Sequence, residues 1–524
     1  MDEKEILKFW KENKIFDKTL AKDSPKGEFV FYDGPPFATG LPHYGSLLAS
    51  IAKDVFCRYK TMRGFHVRRR WGWDCHGLPI ENMIEKRLGL KSKKDIEAMG
   101  VEKFNETCRS AVLETAGAWK EYIERVGRWV EFDNAYMTMD NSFMESVWWA
   151  LKQMWDKELI YEGRKVLMYC PRCETPLAKA EVAMDNSYKT VTEEAVTVKF
   201  KVKNPKKHSL PDNTYLLAWT TTPWTLPGNS ALAINEEIDY CLVERDRENY
   251  VLAKDKTASL YFPDSSQHLS EKSSDLVASQ RQTFLRDVAA SSAGEFKGKD
   301  LVGLEYEPLY EIPAVKSSGK KSHYVVLADF VNTEGGTGIV HIAPMHGEDD
   351  YNVGVQYNLP TIPLLDSSGH FNKEAPEFIQ GFYLKKGEKY VKEDLEKRGL
   401  IFAKQAHTHS YPHCHRCETP LYYSALSSWF INIQKVKNRL VQLNEKINWQ
   451  PEHLKHGRFL NIVKDAPDWN ISRNRYWASP LPIWKCQKCQ KTEMIGSVEE
   501  LKKKTKKSGN KYFVMRHGEG THNV

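Results

Sequence analysis

The strongest constraint on the fold is a nine-residue cysteine motif that occurs twice. Residues 169–177 read YCPRCETPL and residues 413–421 read HCHRCETPL, and 240 residues separate the inner cysteines. Each Cys-x-x-Cys turn offers two thiolates, and a structural zinc ion takes four in a tetrahedron. The predicted ligands are Cys170, Cys173, Cys414 and Cys417. One Zn²⁺ shared by both turns makes the intervening segment an insertion within a small zinc module.

The remaining cysteines carry weaker signals. Ten cysteines in 524 residues are too few for a disulfide scaffold, and the pairs fit a reducing compartment. Cys486 and Cys489 form a third pair, a candidate second metal site whose other ligands the sequence does not contain. A redox role is disfavoured, because no thioredoxin-like unit surrounds any pair. The isolated cysteines are predicted to be small buried side chains: Cys57, Cys75, Cys108 and Cys241.

The length requires several domains. At ~100–200 residues per domain, 524 residues predict two to four of them. A hydrophobic fraction of 41% excludes a disordered chain, and a net charge of +7 permits a nucleic-acid partner without requiring one. No apolar run approaches the ~20 residues of a membrane span, and the N-terminus, MDEKE, is charged where a signal peptide is apolar. We therefore expect a cytoplasmic protein with no membrane partner.

The first 75 residues have the pattern of a nucleotide-binding fold. A short apolar strand at 29–32 stops at the turn 33–36 (DGPP), a helix with one apolar face follows and ends at Gly64, and a second strand is predicted at 65–71. Strand, small-residue turn, helix and strand begin a doubly wound α/β fold. His43 stands where the helix starts, and free N–H groups there attract phosphate. It is the candidate phosphate contact.

Three segments carry a family resemblance. Residues 31–45 (FYDGPPFATGLPHYG) closely resemble the first signature of class I aminoacyl-tRNA synthetases. Residues 72–81 (GWDCHGLPIE) resemble the members of that class that use isoleucine. Residues 471–477 (ISRNRYW), followed by PLPIW at 480–484, are a third match. The resemblance covers about residues 1–500 in the right order, and it implies a Rossmann-like catalytic domain.

The resemblance implies a ligase that activates isoleucine with ATP and Mg²⁺ and transfers it to tRNA(Ile). In such a site Asp74 anchors the ammonium group of the amino acid, and Pro35 shapes its pocket, with Trp73 and His76 alongside. From the residues alone, Asp74 could instead cap a helix over 75–85.

Two family signatures are altered. The catalytic turn keeps His43 and Gly45, but Ser46 stands where the family has a second histidine. A hydroxyl donates a hydrogen bond to phosphate but carries no positive charge. The lysine-rich loop that closes over ATP does not appear, and the lysine run at 502–507 is predicted to be a solvated surface. We expect the sequence to stop before that loop and before an anticodon-binding domain.

The region between the cysteine motifs predicts an inserted β-barrel-like domain, because short strands recur at 191–203, 215–219, 240–243, 324–328 and 337–342. Residues 220–229 and 336–350 resemble the editing site of the isoleucyl-, valyl- and leucyl-tRNA synthetases. The resemblance implies hydrolysis of mischarged Val-tRNA(Ile), with Asp350 binding the ammonium group. The other implied editing residues are Thr220, Thr221, Thr222, Asn229 and His341. Alternatively, the threonines are ordinary strand residues and the acids at 349–350 form a turn.

The predicted organisation follows the chain in order. The segments are a first catalytic half with an N-terminal helix (1–168), a zinc knuckle (169–180), the editing domain (181–405), a second knuckle (406–423), a second catalytic half with the Cys486 pair (424–497) and a linker (498–524).

The last segment carries a different resemblance. Arg516, His517, Gly518 and Glu519 resemble the opening signature of the histidine phosphatase superfamily, in which the histidine accepts a phosphoryl group and the arginine clamps phosphate. The rest of such a site would lie beyond the sequence.

Two rival functions are considered. One is a zinc-dependent RNA-binding module, suggested by the basic and aromatic stretches 68–71 and 473–477. The other is a stand-alone hydrolase built on residues 180–400, which leaves the flanking halves unexplained. An intact Asp74 with His43 and Gly45 favours the ligase.

Overall fold

The computed structural model describes residues 2–183, 187–260 and 292–505. The chain divides into two compact units, one formed by residues 1–162 and 429–524 and the other by residues 163–428. Both predicted zinc knuckles fall within the second unit. The segment with Arg516, His517, Gly518 and Glu519 lies outside the described residues.

The first unit is built around a short pair of parallel strands. Arg70–Trp73 pairs with Glu131–Met137, and Gly72 lies opposite Tyr136. A Cβ atom at Gly72 would lie 2.2 Å from the Tyr136 ring, so the strands approach this closely only because residue 72 has no side chain. Parallel pairing agrees with the predicted doubly wound fold.

The helix predicted after the first turn is present at Tyr44–Met62. Gly64, with φ of +90°, lies just beyond its end, a conformation that glycine adopts without strain. The predicted strand 29–32 is not formed: only isolated bridges occur, between Glu28 and His66 and between Phe37 and Asp74. Its side chains Val30 and Tyr32 are 67% and 91% exposed, so no sheet covers this stretch.

The rest of the first unit is mainly helical. The remaining helices are Glu3–Glu12, Ile15–Leu20, Leu78–Leu88, Lys93–Met99, Val101–Ala111, Ala116–Arg125, Asn141–Asp156, Lys437–Asn444, Leu460–Asp465 and Val498–Lys504, with a π-helical turn at Lys455–Phe459. The remaining strands are Trp469–Asn470, Ile483–Lys485 and Thr492–Met494. Among the described residues, no helix is both long enough and apolar enough to cross a bilayer.

The second unit is mainly antiparallel sheet. The chain enters it within strand Ile160–Cys170 and leaves it within Tyr422–Ile431. Its largest sheet has the spatial order Ser292–Lys297, Asp239–Arg245, Glu248–Ala253, Thr214–Thr220, Tyr188–Lys201, Ile401–Pro412. A three-stranded sheet has the order Val325–Leu327, Ala231–Ile234, Val340–Ile342, and Thr175–Leu177 pairs with the end of Ile160–Cys170.

These strands confirm the predicted β-rich insertion but not a closed barrel. In the described residues the six-stranded sheet has two edge strands, Ser292–Lys297 and Ile401–Pro412, instead of closing on itself. Short helices connect the strands: Lys179–Val182, Pro313–Ser317, Glu348–Gln356 and Leu384–Lys397, with 3₁₀ turns at Pro205–His208, Pro223–Gly228, Lys254–Leu260, Gly298–Leu301 and Glu377–Ile379. The largest of three apolar clusters in this unit lies beneath these elements, and the three together account for the runs of fully buried Val, Leu and Ile.

Candidate functional site

Asp74 stands at the carboxyl end of strand Arg70–Trp73, next to the proline turn. Its backbone N–H donates to the Pro36 carbonyl at 2.9 Å, and its carbonyl accepts from the Ala38 N–H at 3.0 Å. These two bonds hold the turn that contains Pro35 against Asp74. The carboxyl ends of parallel strands are where ligands bind in open α/β sheets.

The Asp74 carboxylate has no cationic partner in the described part of the chain. It is half-buried, and Oδ1 accepts one long hydrogen bond, 3.5 Å, from the His76 backbone N–H. Burial raises the pKa of Asp74 above its usual value, and the His76 N–H partly offsets this. A carboxylate without an internal cation is suited to binding an external one, such as an ammonium group.

The capping alternative for Asp74 is wrong. The next helix is Leu78–Leu88, and its N-cap is Gly77, which has φ of +97° and no side chain to cap with. Asp74 lies three residues before that cap and accepts no hydrogen bond from the first turn. Its carboxylate is therefore not used by the helix.

The matched segments 72–81 and 471–477 are joined by hydrogen bonds and ring contacts. The Trp477 Nε1–H donates to the Cys75 carbonyl at 2.6 Å, and the Gly77 N–H donates to the Trp477 carbonyl at 3.0 Å. The His76 and Trp477 rings meet edge to face with centroids 5.2 Å apart. The segment that follows Asp74 is thus fixed by residues 400 positions later in the sequence.

A buried ion cluster supports this arrangement. Arg475 pairs with both Glu81 and Glu85, and all three residues are at most 3% exposed. Glu81 also accepts the backbone N–H groups of Tyr476 and Trp477. A buried arginine placed between two carboxylates needs all of its partners, because an unpaired charge here would be costly.

Part of each basic stretch considered as an RNA-binding surface is buried, whereas Arg68 and Arg70 are exposed. Arg475 and Trp477 are 3% and 5% exposed, and in the other stretch Arg69 and Trp71 are 3% and 2% exposed. These residues build the core of the first unit. They do not form an exposed basic and aromatic platform of the kind that binds single-stranded nucleic acid.

Trp73, predicted to lie at the substrate pocket, is inside the core. It is 2% exposed and its ring packs against Trp71, Trp119 and Phe132 with centroids 5.5–6.1 Å apart. Its ring supports the strand that ends at Asp74, and the Thr138 N–H donates to its carbonyl at 3.1 Å. Edge-to-face packing of this kind fixes the position of the strand.

His43 is the N-cap of helix Tyr44–Met62. Its Nδ1 accepts from the Gly45 N–H at 3.1 Å, and its own N–H donates to Ser46 Oγ at 3.4 Å. Within the described residues the second ring nitrogen, Nε2, has no hydrogen-bond partner. The first turn contains no acidic side chain, so an exposed imidazole stands beside a helix terminus that favours anions.

The four predicted zinc ligands converge in the second unit. The Sγ atoms of Cys170, Cys173, Cys414 and Cys417 all lie within 4.8 Å of one another. Cys417 Sγ is 3.5 Å from Cys170 Sγ and 3.6 Å from Cys173 Sγ. A Zn–S length of about 2.3 Å places tetrahedral sulfurs about 3.8 Å apart, so the four thiols fit Zn²⁺. None of the ten cysteines forms a disulfide.

The third cysteine pair has a different setting. Cys486 and Cys489 are exposed in the turn between strands Ile483–Lys485 and Thr492–Met494. Among the described residues no further histidine, cysteine or carboxylate joins them in a group of metal ligands. The four isolated cysteines are buried, as predicted.

A cavity of about 370 Å³ opens in the second unit where the two hydroxyl- and histidine-rich segments meet. The predicted residues that line it are Thr220, Thr221, Thr222, His341 and Asp350. Strand Thr214–Thr220 ends before Thr221, so Thr221 and Thr222 lie in the loop that follows the strand. The alternative that treats the threonines as ordinary strand residues therefore fails for these two.

His341 is locked by a buried hydrogen-bond chain. Asn229 Nδ2 donates to the Ala231 carbonyl and to His341 Nδ1, both at 2.9 Å, and Asn229 Oδ1 accepts from the Tyr306 hydroxyl at 2.8 Å. A carbonyl only accepts, which fixes the orientation of the amide and leaves His341 protonated on Nε2. That Nε2–H donates to Thr225 Oγ1 at 3.0 Å, and Thr225 Oγ1 donates to the Thr222 carbonyl at 2.8 Å. Burial lowers the pKa of His341 to about 3, which keeps the ring neutral.

Asp350 brings a carboxylate to the cavity from helix Glu348–Gln356. It lies in the first helical turn, not in a loose turn. Oδ1 accepts from the Ala343 N–H at 2.7 Å, and burial raises the pKa of Asp350 to about 6. A Cβ atom at Gly347 would lie 2.2 Å from Oδ2, so the carboxylate occupies space left by that glycine.

Sequence reasoning missed several of these residues. His346 lines the cavity, Tyr306 orients Asn229, and Arg475 with Glu81 fixes the Asp74 loop. His346 was visible in the segment 336–350, five residues after His341. Arg475 and Glu81 lie within the matched segments 471–477 and 72–81, but their pairing was not visible because it joins positions 394 apart, and Tyr306 gave no signal because its partner is 77 positions away.

The parallel strand pair, the helix that starts at His43 and the carboxylate at the strand end agree with the nucleotide-binding fold that the sequence predicts. The chain belongs to the class I tRNA synthetases (I, L, M and V), whose family model matches residues 5–519.

Among curated proteins, the chain is similar to isoleucine–tRNA ligases. It is 46% identical over 522 residues to that of Treponema denticola, 45% over 504 residues to that of Clostridium novyi and 43% over 505 residues to that of Thermus thermophilus. The alignments cover 95–96% of this chain and 45–46% of the relatives. The chain therefore spans about half the length of the curated relatives it matches.

Among solved structures, the chain is similar to a LeuRS–tRNA complex from Agrobacterium radiobacter K84. The identity is 16%, the match covers 95% of this chain and 52% of that chain, and the TM-score is 0.34. At this level the comparison adds nothing to the argument about the site.

Proposed function

We propose that this chain belongs to an isoleucine–tRNA ligase, which activates isoleucine with ATP and Mg²⁺ and transfers it to tRNA(Ile). The observation that carries the proposal is the Asp74 carboxylate, held beside the proline turn with no cationic partner in the described residues, in a chain 42–46% identical to such ligases. The ammonium group of isoleucine pairs with Asp74. Pro35 and His76 border the amino-acid pocket, and Trp73 supports the strand from within the core.

The phosphates of ATP are assigned to the start of helix Tyr44–Met62. An oxygen of the amino-acid carboxylate attacks the α-phosphorus of ATP and displaces pyrophosphate, and preorganised donors stabilise the negative charge on the phosphoryl oxygens in the transition state. The His43 ring, the backbone N–H groups at Gly45 and the Ser46 hydroxyl are the donors that this chain provides. Mg²⁺ accompanies ATP as part of the substrate.

The second unit is proposed to hydrolyse Val-tRNA(Ile). A pocket that admits isoleucine excludes valine by only ~1–3 kcal/mol for the missing methylene, and isoleucine against valine is itself the standard example of this limit. The cavity supports a second, hydrolytic site: Asp350 holds the ammonium group and Thr221 and Thr222 position the ester. Asn229 and His341 act indirectly. They fix the position of Thr225, and Thr225 in turn holds the Thr222 carbonyl.

Zn²⁺ is proposed as the resident metal, held by Cys170, Cys173, Cys414 and Cys417. A closed four-thiolate site is structural, because it leaves no position for substrate. Free thiols and a thiolate zinc site suit the reducing cytoplasm, which is the proposed location.

Replacing Asp74 with Asn tests the ligase function. Asn keeps the size of the side chain and removes the charge, so isoleucine-dependent exchange of pyrophosphate into ATP should fall at least about a hundredfold, mostly through weaker isoleucine binding. The measurement uses the protein that carries this sequence, with Asp133→Asn, an exposed acid, as the control. Normal exchange in the Asp74 variant would contradict the proposed anchor.

A further inference from the structure

Ester hydrolysis in the cavity of the second unit needs a hydrogen-bond acceptor for the attacking water. None of the residue roles proposed above supplies that acceptor. This inference rests on the proposed editing function. The acceptor must face the cavity and must have an unoccupied lone pair near neutral pH.

His341 does not meet this requirement. Its Nδ1 accepts from Asn229 and its Nε2–H donates to Thr225, so both ring nitrogens are occupied by buried partners. Freeing either nitrogen would leave a buried polar group unpaired, which is costly. Asp350 is also engaged, since Oδ1 accepts from the Ala343 N–H and the carboxylate is needed for the substrate's ammonium group.

His346 meets it. Its Nδ1 lies 3.2 Å from the Tyr423 carbonyl, which only accepts, so Nδ1 carries the proton and the lone pair is on Nε2. Within the described residues Nε2 has no hydrogen-bond partner, and His346 lines the same cavity as Thr222 and Asp350.

The ring is held in place and stays neutral. Its centroid lies 4.8 Å from that of Trp224, edge to face, and 6.4 Å from that of Tyr422. Burial lowers the pKa of His346 to about 4, with the Tyr423 carbonyl acting in the opposite direction. The Nε2 lone pair is therefore available throughout the neutral range.

We propose that His346 Nε2 accepts a hydrogen bond from the water that hydrolyses the valyl ester. The water oxygen forms a bond to the ester carbonyl carbon, and the bond from that carbon to the ribose oxygen breaks. One proton of the water ends on the ribose oxygen, and the acid product then releases its proton to solvent. No oxidant or metal is required. The threonines and Asp350 place the ester, and His346 places the water.

Paired substitutions test this role. His346→Phe keeps an aromatic ring against Trp224 and removes the acceptor, so the maximal single-turnover rate of Val-tRNA(Ile) hydrolysis by the 524-residue chain should fall at least about tenfold. The enzyme concentration at half-saturation should not change, because no contact with the ester is lost. His346→Gln carries a carbonyl oxygen to about the reach of Nε2 and should recover most of the rate. His346→Asn, whose amide reaches only as far as Nδ1, should not.

The outcomes separate the inference from the function it rests on. A slow Asp350→Ala variant beside a normal His346→Phe variant would overturn the role of His346 and leave editing intact. Equal losses in the Phe and Gln variants would also overturn it, because the acceptor would not be what matters. No hydrolysis by the unaltered chain would contradict the editing function and this inference together.

Discussion

Asp350 combines a cost in stability with a proposed function. Burial raises its pKa to about 6, and the value for an exposed aspartate is 3.8. The folded state therefore binds the proton more tightly than the unfolded state. The stability that this proton contributes is complete below pH 3.8 and is lost as the pH rises through 6.

Asp350→Asn should therefore stabilise the chain in a pH-dependent way. The neutral amide removes the buried charge, so we expect a gain of about 1–3 kcal/mol at pH 8 and almost none at pH 4. Urea unfolding at pH 4, 6 and 8 checks this. The same ionisation should govern catalysis: kcat/KM for Val-tRNA(Ile) hydrolysis should be half-maximal near pH 6 and fall on the acid side. A gain that is equal at pH 4 and pH 8 would show that the Asp350 charge is not the cause.

Single residues differ in how far the sequence predicts them. Thr221, Thr222 and Asp350 were found because two separated segments resemble a known site, and the structure brings both to one cavity. Whether Asp74 is an anchor or a cap was left open, because that depends on where the following helix begins. Arg475 was misread, since a basic side chain next to aromatic ones has the same sequence pattern whether it is exposed or buried.

At the scale of elements, the first strand pair depends on one glycine. Tyr136 fills the space over Gly72, donates its hydroxyl to the Asp33 carbonyl at 3.2 Å and stacks on Phe143 with the ring planes 3° apart. The ring is thus held from two sides, and it connects the strand pair to the turn that contains Pro35.

Gly72→Ala should destabilise the first unit. The added Cβ would lie 2.2 Å from the Tyr136 ring, which cannot move away without losing its hydrogen bond and stacking, so we expect a loss of about 1–3 kcal/mol. Gly117→Ala is the matched control, because its Cβ meets nothing within 4 Å at an exposed position of helix Ala116–Arg125 and should stabilise by about 0.5–1 kcal/mol. Urea denaturation of both variants measures these changes in stability. An unchanged stability of the Gly72→Ala variant would mean that the Tyr136 ring moves aside without cost.

Elements were predictable where a local pattern determined them. Helix Tyr44–Met62 has an apolar face and a glycine just past its end, and strands Thr214–Thr220 and Asp239–Arg245 lie where short strand-like runs predicted them. The strand predicted at 29–32 is not formed, because apolar residues alone do not provide a neighbouring strand to pair with. The β-barrel-like architecture is not shown for a related reason, since strand pattern does not determine whether edge strands meet.

At the scale of the whole molecule, the zinc site is the clearest test of how the sequence is organised. We expect one Zn²⁺ per chain and its loss in Cys414→Ser, because three thiolates leave the tetrahedron open. Cys486→Ser is the control and should keep the full equivalent, since that cysteine is exposed and does not belong to the four-cysteine group. Metal analysis of the purified proteins gives the result, and a full equivalent in Cys414→Ser would contradict the four-cysteine site.

The four-cysteine cluster also has a topological meaning. It joins two points of the chain that are 240 residues apart, and closing a flexible loop of that length costs about 5 kcal/mol in chain entropy. Structural zinc sites supply about 10–16 kcal/mol, well above that cost. Bound zinc would thus tie the two ends of this long excursion to each other, independently of the contacts that the residues between them make.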